Sequence, residues 1–261
     1  MNIDYYTTYD LPVPYRGLNI YPSKVKDYIL FMNVSQCLTL DKNSIPDAKI
    51  ITMSYLEFLF HMTKTNPEET PYILWLDRLF SIVLPEDKSF LKLDKSLQRY
   101  AYDENGKVFI EISGERYSGQ DFEEIRRIIC EQNMVEIPDE NVSKEVRDSL
   151  EKAKAYKARL SGAKPASIED YIISLATVTG WTMEYVHTMS VRKFIKAIRR
   201  LDNYLHYKIY LSASMSGMVE FKDKSFIKHW LVGLDEENKF DDVSLDLTKV
   251  QETISMEGAK S

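Results

Sequence analysis

Residues 107–133 constrain the fold of this chain most strongly, because two hydrophobic periodicities meet in them. Apolar and polar residues alternate over 108–112, a pattern typical of a half-buried strand. Ser113-Gly114 is a turn signal, after which 115–117 can return as a second strand. A helix can then start at Ser118 or at Gln120-Asp121, and apolar residues follow at helical spacing: Phe122, Ile125, Ile128 and Ile129. The segment predicts a β-hairpin that leads directly into a helix.

Residues 1–105 are expected to form a helical region with a leading hairpin. The hairpin is predicted within 11–22, where prolines precede the turn former Arg16-Gly17. A helix capped by Ser23 follows, with Val25, Tyr28, Ile29, Met32 and Cys37 on its stripe. A second helix, opened by Thr52 or Ser54, carries Tyr55, Leu56, Leu59, Phe60 and Met62. A third, over 72–83, is apolar on nearly every face, so it is expected to be the buried centre of this region. Residues 86–107 are left unassigned.

The rest of the chain is predicted as three further regions. Residues 106–160 hold the hairpin, its helix and, from Ser143, a charged linker helix exposed to solvent. Residues 161–235 are expected to form a C-terminal helical domain, and 236–261 an acidic tail with one strand near 243–247. The predicted fold class is mainly α with small β-hairpins.

Three closely spaced helices are predicted within the C-terminal domain. Ser167 and Asp170 match a capping box loosely and open the first, which Gly180 ends. Thr182 is expected to cap a very short second helix, and Ser190 a long third one. The third helix carries one apolar stripe: Val191, Phe194, Ile198, Leu201, Leu205 and Ile209.

The interruption after this third helix, over 212–230, is interpreted as a joint between packed elements. Ser216-Gly217 is expected to end the helix. Val219 and Phe221 can then pack back as a short extended segment, and a helix restarts with Phe226, Ile227 and Trp230.

Composition excludes several classes of protein. The formal charge of -6 and the pI of 5.4 give no overall positive field for nucleic acid or anionic lipid. Apolar runs are shorter than a membrane span needs, and the first residues lack the pattern of a secretory signal. The two cysteines, Cys37 and Cys130, make no disulfide framework and fit a reducing compartment. We therefore expect a soluble cytoplasmic protein without membrane contacts.

No residue pattern predicts a reactive centre. The four histidines are isolated from one another and from any Cys-x-x-Cys pair, so no metal site is expected. Phosphate-binding loops and nucleophile elbows are missing, and carboxylates such as Glu123-Glu124 are adjacent pairs of the kind found on solvated faces. We predict no catalytic residues, no metal and no cofactor, and therefore no enzyme.

Nucleic-acid binding is the main alternative from another class. A short helix at 183–187 followed by a basic longer one has the outline of a helix-turn-helix, with the DNA contacts over 183–201. The cations of that longer helix are Arg192, Lys193, Lys196, Arg199 and Arg200. Because they lie opposite the apolar stripe, they also fit an ordinary solvated face, and we favour that interpretation. We therefore do not expect nucleic acid to be a partner.

Several segments resemble tailed-bacteriophage tail assembly chaperones or tail-associated virion proteins. The resemblance extends over all major parts of the chain. Its motifs are patterns of hairpins, helix caps and core residues, and none is a catalytic signature. It is carried by VPYRGLNIYPSKVKDY, CLTLDKNSIPDAKIITMSYLEFLF, ISGERYSGQDFEEIRRIICEQN, YKIYLSASMSGMVEFKDKSFIKHWL and TGWTMEYVHTMSVRKFIKAI.

The resemblance implies a non-enzymatic morphogenesis protein. A tail assembly chaperone would mask the apolar surface of the tape measure protein in the host cytoplasm until tail tube subunits enclose it. A permanent place in the virion tail or baseplate is the alternative, and self-association is left open. The contact residues implied are aromatic, and for each the competing interpretation is an ordinary core residue: Tyr15, Tyr21, Tyr55, Trp181, Tyr185, Tyr204, Tyr207 and Trp230.

Overall fold

A computed structural model of the chain divides into two compact units. Unit 1 comprises 1–141 and 169–198, and unit 2 comprises 142–168 and 199–261. The residues that the structure describes are 3–42, 45, 47–65, 71–90, 99–138, 146, 149, 152, 166–216 and 229–231. The four-region organisation stays a prediction, because long stretches of its second and fourth regions lie outside these residues.

The elements described over their whole length are nine α-helices of 5 to 25 residues and five short strands. In the N-terminal part these are α1 (Ile3–Tyr9), β1 (Val13–Tyr15), β2 (Leu18–Ile20), α2 (Tyr28–Ser35), α3 (Ala48–Thr52), α4 (Tyr55–Thr65) and α5 (Tyr72–Val83). Single 3-10 turns, Val25–Asp27 and Gln36–Leu38, flank α2. The remaining elements are β3 (Tyr100–Tyr102), β4 (Val108–Ile112), β5 (Glu115–Tyr117), α6 (Gly119–Gln132), α7 (Ile168–Thr179), α8 (Met183–Thr188) and α9 (Val191–Met215).

Both predicted hairpins are confirmed, as is the mainly α fold class with small β-hairpins. β1 pairs with β2 in antiparallel register, and β4 pairs with both β3 and β5. The turn residues Arg16-Gly17 and Ser113-Gly114 all have positive φ, between 43° and 83°. Two consecutive positive φ values match the twist of a tight hairpin, and glycine adopts them without a steric cost. β3 and the short helices α1 and α3 were not predicted.

The helix after the second hairpin, α6, begins and packs as its sequence predicts. The Ser118 hydroxyl accepts the Asp121 amide, and the Asp121 carboxylate accepts the Ser118 amide, which completes a capping box. Ser54 and Glu57 make the same reciprocal arrangement at the start of α4. The buried face of α6 joins α2, α4, α5 and β4 in the main core, and the predicted stripe of α6 is fully buried there: Phe122, Ile125, Ile128 and Ile129.

The prediction for α2 is wrong in its cap and in its face. Ser23 does not cap; Lys24 precedes the 3-10 turn without a side-chain bond, and the buried Ser23 amide donates to Asn133 Oδ1 at 2.8 Å. Ile29 and Met32 are exposed, whereas Phe31 is buried. The sequence YILFMNVS is apolar on every side, so periodicity alone cannot say which side meets the core.

The helix α5 is only partly the buried centre that was predicted. One face of it, with Leu76, Leu79 and Phe80, is fully buried, but Leu74 on the other side is exposed. A 12-residue helix in a protein of this size buries one face unless other elements cover it on all sides.

The boundaries of α7, α8 and α9 agree with the sequence. α7 ends at Thr179, and Gly180 follows it with φ of 73°. The Thr182 hydroxyl accepts the Tyr185 amide at 3.2 Å. The Ser190 hydroxyl accepts the Lys193 amide at 3.2 Å. α9 ends at Met215, within the predicted joint.

Several predictions fall on residues that the structure does not describe. These are the strand near 243–247, the acidic tail 236–261, Gly217, Val219, Phe221, and the helix restart at Phe226 and Ile227. Of the charged helix after Ser143, the structure describes 146, 149 and 152, which are helical and exposed. Across the described residues, no helix combines the length and hydropathy needed to span a bilayer.

Candidate protein-binding surface

In unit 1, the segment that joins α8 to α9 docks on the residues before α2. The Val25 amide donates to Met189 O, and the Val191 amide donates to Ser23 O, each at 2.9 Å. These two bonds make an antiparallel bridge between Lys24 and Ser190. Because each backbone group pairs with another, the segment can be buried without leaving polar groups unsatisfied.

Apolar side chains and two cations hold the same segment in place. Val186, Val191 and Phe194 are buried. Arg192 Nη1 donates to Glu131 O at 2.9 Å, and Lys193 Nζ lies 3.2 Å from Asp10 Oδ2. The first turn of α9 is therefore fixed on unit 1 by packing and by charge-assisted contacts.

An aromatic corner, defined as Trp181, Met183 and Tyr185, projects from unit 1 between α7 and α8. Gly180 ends α7 with a left-handed residue and Thr182 caps α8, so the chain turns sharply at Trp181. The rings of Trp181 and Tyr185 meet edge to face with centroids 5.3 Å apart. Trp181 is 40% exposed and Tyr185 52% exposed. The corner presents large apolar area with polar tips, a combination that suits a protein interface.

A carboxylate accompanies the aromatic corner, because Glu184 lies in the first turn of α8 between Met183 and Tyr185. Glu169 and Asp170, in the first turn of α7, lie at the opposite end of that helix. Hydrogen bonds from the Glu184 amide and from the Thr182 hydroxyl lower the pKa of the Glu184 carboxyl below its usual range. Glu184 is therefore ionised at neutral pH.

The apolar stripe of α9 becomes exposed along the helix. Its first members, Val191 and Phe194, are buried as described above. The next four, called the α9 stripe, are Ile198, Leu201, Leu205 and Ile209. Ile198 and Leu201 are partly buried, Leu205 is 43% exposed and Ile209 61% exposed. The apolar stripe that the sequence predicts is thus exposed to solvent at its last two positions, Leu205 and Ile209.

Within unit 2, a ring cluster lies beside the second half of α9, formed by Tyr204, Tyr207, His229 and Trp230. The rings of Tyr204 and Trp230 meet edge to face at 5.5 Å, and those of Tyr207 and His229 at 5.2 Å. Arg200 Nη1 donates to Trp230 O. The structure thus brings together three of the predicted contact residues, two of which, Tyr207 and Trp230, are partly buried by this packing.

Tyr55, in contrast, lies in the core of unit 1. Its hydroxyl accepts the Leu40 amide at 2.8 Å and donates to Cys37 O at 3.0 Å, and its ring is covered by the Arg126 guanidinium at 3.5 Å and stacked on Phe122. Burial raises the pKa of the Tyr55 hydroxyl well above its ordinary value. A fully buried ring has no surface for a partner, so the core interpretation fits Tyr55.

Tyr15 and Tyr21 lie at the first hairpin, apart from the aromatic corner and the ring cluster in sequence. The Tyr15 hydroxyl donates to Asp121 Oδ1 at 3.0 Å, and burial together with this bond raises the pKa of Tyr15 to about 12. The Tyr21 hydroxyl donates to Glu86 Oε1 at 2.6 Å. Both hydroxyls tie elements of unit 1 together, and both rings are only partly exposed.

The cations of the helix-turn-helix alternative are largely engaged within the protein. Arg192, Lys193 and Arg200 contact Glu131, Asp10 and Trp230, respectively. Lys196 and Arg199 are exposed. A DNA-binding helix needs its cations directed at phosphates, so these contacts weigh against the alternative.

The two cysteines of the described core are held as neutral thiols. Cys37 and Cys130 are buried, and burial raises the pKa of both thiols, that of Cys130 to about 12. Thiols of this kind are poor nucleophiles because the thiolate is suppressed. Among the described residues, no three His, Cys, Asp or Glu side chains are grouped so that they could hold a metal ion.

Some exposed apolar residues of the two units were not among the predicted contacts. They are Met183, Tyr210, Leu211, Met215 and Leu231. A sequence signal exists for Tyr210, Leu211 and Met215, because the second half of α9 has more large apolar residues than one stripe needs and some of them must face water or a partner.

Residues 157–235 match the family model described as YomV second domain. The matched range contains the aromatic corner, the α9 stripe and the ring cluster. Neither a curated protein nor a solved structure matches the chain. The match to this phage-derived family suggests a phage protein, which agrees with the phage part of the resemblance and leaves its tail chaperone part open.

Proposed function

We propose that the protein is a non-enzymatic phage morphogenesis protein that acts as a tail assembly chaperone in the host cytoplasm. In this role it masks the tape measure protein until tail tube subunits enclose it. The observation that carries the proposal is the exposure of large apolar side chains at the aromatic corner in unit 1 and on α9 in unit 2. Both sets lie inside the range that matches the phage-derived family.

The exposed residues have the chemistry that masking requires. Large apolar patches on a soluble protein mark interaction sites, and Trp and Tyr supply contact area at low entropic cost. Trp181 and Tyr185 in unit 1, and Leu205 and Ile209 in unit 2, are exposed on short or helical elements whose backbones are already satisfied. Such preformed patches can bind without refolding, which favours reversible association.

Co-expression with the tape measure protein of the same phage tests the proposal. We expect the tape measure protein to remain in the soluble fraction only when this chain is present, and the two to be recovered together by affinity purification. Ile209→Glu should abolish recovery, because a carboxylate would be buried in the contact. Ile29→Glu is the matched control, since Ile29 is 65% exposed on α2 and lies outside the matched range. Insoluble tape measure protein in every combination contradicts the proposal.

A permanent place in the virion tail or baseplate is the second candidate, because the match to a phage-derived family supports it equally. Mass spectrometry of purified virions separates the two. A chaperone should be missing from mature particles, whereas stoichiometric recovery would support the structural role.

A further inference from the structure

The chain contains a single Asn-Gly dipeptide, Asn105-Gly106. It lies in unit 1, in the connection between β3 and β4, beyond the last paired residues of that ladder, Tyr102 and Val108. Residues 102–107 are all exposed, and a Cβ at Gly106 would lie more than 4 Å from any described residue except its chain neighbours. Because glycine has no Cβ, its backbone nitrogen is shielded less than that of any other residue. The side-chain amide of Asn105 therefore has an accessible nucleophile directly after it.

Asp103 closes this connection into a turn. Its Oδ1 accepts the Asn105 amide at 2.9 Å and the Lys107 amide at 2.7 Å. Its backbone carbonyl accepts the Gly106 amide at 3.0 Å, and its backbone amide donates to Lys107 O at 2.8 Å. Gly106 has φ of 75°, so the turn ends on a left-handed residue, as is common in hairpins with short loops. Four hydrogen bonds to one residue thus hold Asn105 and Gly106 in one conformation.

We propose that Asn105 is a site of spontaneous deamidation and that the turn around Asp103 controls its rate. In this reaction the Gly106 nitrogen loses its proton to solvent base and attacks Asn105 Cγ. The new bond between this nitrogen and Cγ closes a cyclic imide as the bond from Cγ to Nδ2 breaks, and Nδ2 takes up a proton from water and leaves as ammonia. Water then opens the imide at either carbonyl carbon, which leaves aspartate or isoaspartate. Water is the only co-reactant, and no atom is oxidised or reduced. The site lies outside the range that matches the family model and is independent of the proposed function.

The closed turn opposes the first step in two ways. The proton that must leave the Gly106 amide is donated to Asp103 O. Ring closure also needs rotation about the bond between Cα and the carbonyl carbon of Asn105, and Asp103 Oδ1 restrains this rotation by holding the amides of Asn105 and Lys107. The turn therefore has to open before the ring can form. Because an exposed hairpin tip opens at low free energy, the reaction is slow in the folded chain but proceeds.

Deamidation weakens the turn that controls it. Aspartate at position 105 places a third carboxylate directly after Asp103 and Glu104, and neighbouring like charges repel. Isoaspartate also inserts the side-chain methylene into the backbone, which shifts the amides of Gly106 and Lys107 relative to Asp103. The modified connection should open more readily. The edge strand β3 has only three residues and pairs with β4 next to this turn, so its pairing should weaken as well.

Peptide mapping by mass spectrometry on the full chain tests the site. The protein is incubated in mildly alkaline buffer at body temperature and digested at intervals. We expect the peptide with Asn105 to gain the mass that replaces an amide by a carboxyl group, and to separate into aspartate and isoaspartate forms. Asn33 is the internal control, because it is exposed on α2 but is followed by the branched Val34, and it should stay unmodified over the same period. An unmodified Asn105, or equal modification of Asn33, overturns the proposal.

Variants test the control by the turn. Asp103→Ala should make deamidation of Asn105 about fivefold faster or more, because the acceptor of two backbone amides is lost. Asp103→Asn keeps an Oδ1 acceptor and should react at nearly the wild-type rate. Glu104→Ala is the matched control, since it removes the same charge from the neighbouring residue and none of the four hydrogen bonds of the turn. Rates for Asp103→Ala and Glu104→Ala within about twofold of each other contradict control by the turn.

The unfolded chain supplies a reference that depends on no variant. In concentrated urea, Asn105 of the wild-type chain should deamidate about fivefold faster or more than in the folded chain, because the turn no longer restrains it. Asp103→Ala should then react at the wild-type rate. Circular dichroism establishes whether each variant is folded without urea, and if Asp103→Ala is not, the comparison of folded and unfolded wild type decides. Equal rates in those two states overturn control by the turn.

Discussion

Truncation of Val191 to alanine should release the docked segment of unit 1. Val191 is 1% exposed, and its side chain is buried beside the Lys24–Ser190 bridge. The change removes two methyl groups, worth about 0.8 kcal/mol each in transfer free energy, and the cavity adds about 1 kcal/mol. We therefore expect the free energy of opening this segment to fall by about 2 to 3 kcal/mol.

Hydrogen exchange measured by mass spectrometry reports this opening directly. A loss of about 2 to 3 kcal/mol corresponds to exchange roughly 30- to 160-fold faster for the amides of 186–194. The matched control is Val178→Ala, because Val178 is also helical but 54% exposed. That change should be neutral or slightly stabilising, since alanine is the better helix former. If the opening free energies of the two variants differ by less than about 0.5 kcal/mol, the reasoning from burial is refuted.

Three further predictions concern pH and backbone conformation. Partial burial alone would raise the pKa of Asp121, but hydrogen bonds from Arg16, Ser118 and Tyr15 lower it to about 2. The stability that ionised Asp121 contributes is thus complete above its unfolded pKa of about 4 and is lost as the pH falls toward 2. Asp121→Asn should therefore make the urea midpoint less dependent on pH between about 4 and 2. Tyr15→Phe should remove one tyrosine that ionises near pH 12 in an ultraviolet titration, because the pKa of Tyr15 is raised to about 12. Gly180→Ala should lower the melting temperature, because φ is 73° at this position and the added side chain causes strain of about 1 kcal/mol; Gly180→Asn should cost less. An unchanged urea midpoint for Asp121→Asn, an unchanged titration for Tyr15→Phe or an unchanged melting curve for Gly180→Ala would contradict the prediction for that variant.

Local signals in the sequence predicted the element boundaries well. The capping box of Ser118, the cap of Thr182 and the stop at Gly180 depend on hydrogen bonds and φ values within a few residues, so the sequence encodes them locally. The Ser23 cap failed because distant groups hold the Ser23 backbone: its amide donates to Asn133 and its carbonyl accepts the Val191 amide, while its hydroxyl makes no hydrogen bond to a described residue. Such long-range contacts leave no local mark in the sequence.

The side on which a helix is buried was harder to predict. Ile29 and Met32 are exposed because α2 is apolar all round and the choice of face depends on its neighbours. The apolar residues of α9 have the helical spacing that was predicted, yet only the first two, Val191 and Phe194, are buried. Periodicity identifies an apolar face, but it does not say whether the same chain or a partner covers it.

The Lys24–Ser190 bridge also has a consequence for biosynthesis. The two residues are 166 positions apart (190 − 24). At a ribosomal rate of about 5 to 20 residues per second, Ser190 is added roughly 8 to 33 seconds after Lys24. During that interval the Ser23 carbonyl and the Val25 amide lack their partners in the bridge, so this edge of the nascent chain stays open until translation has entered α9.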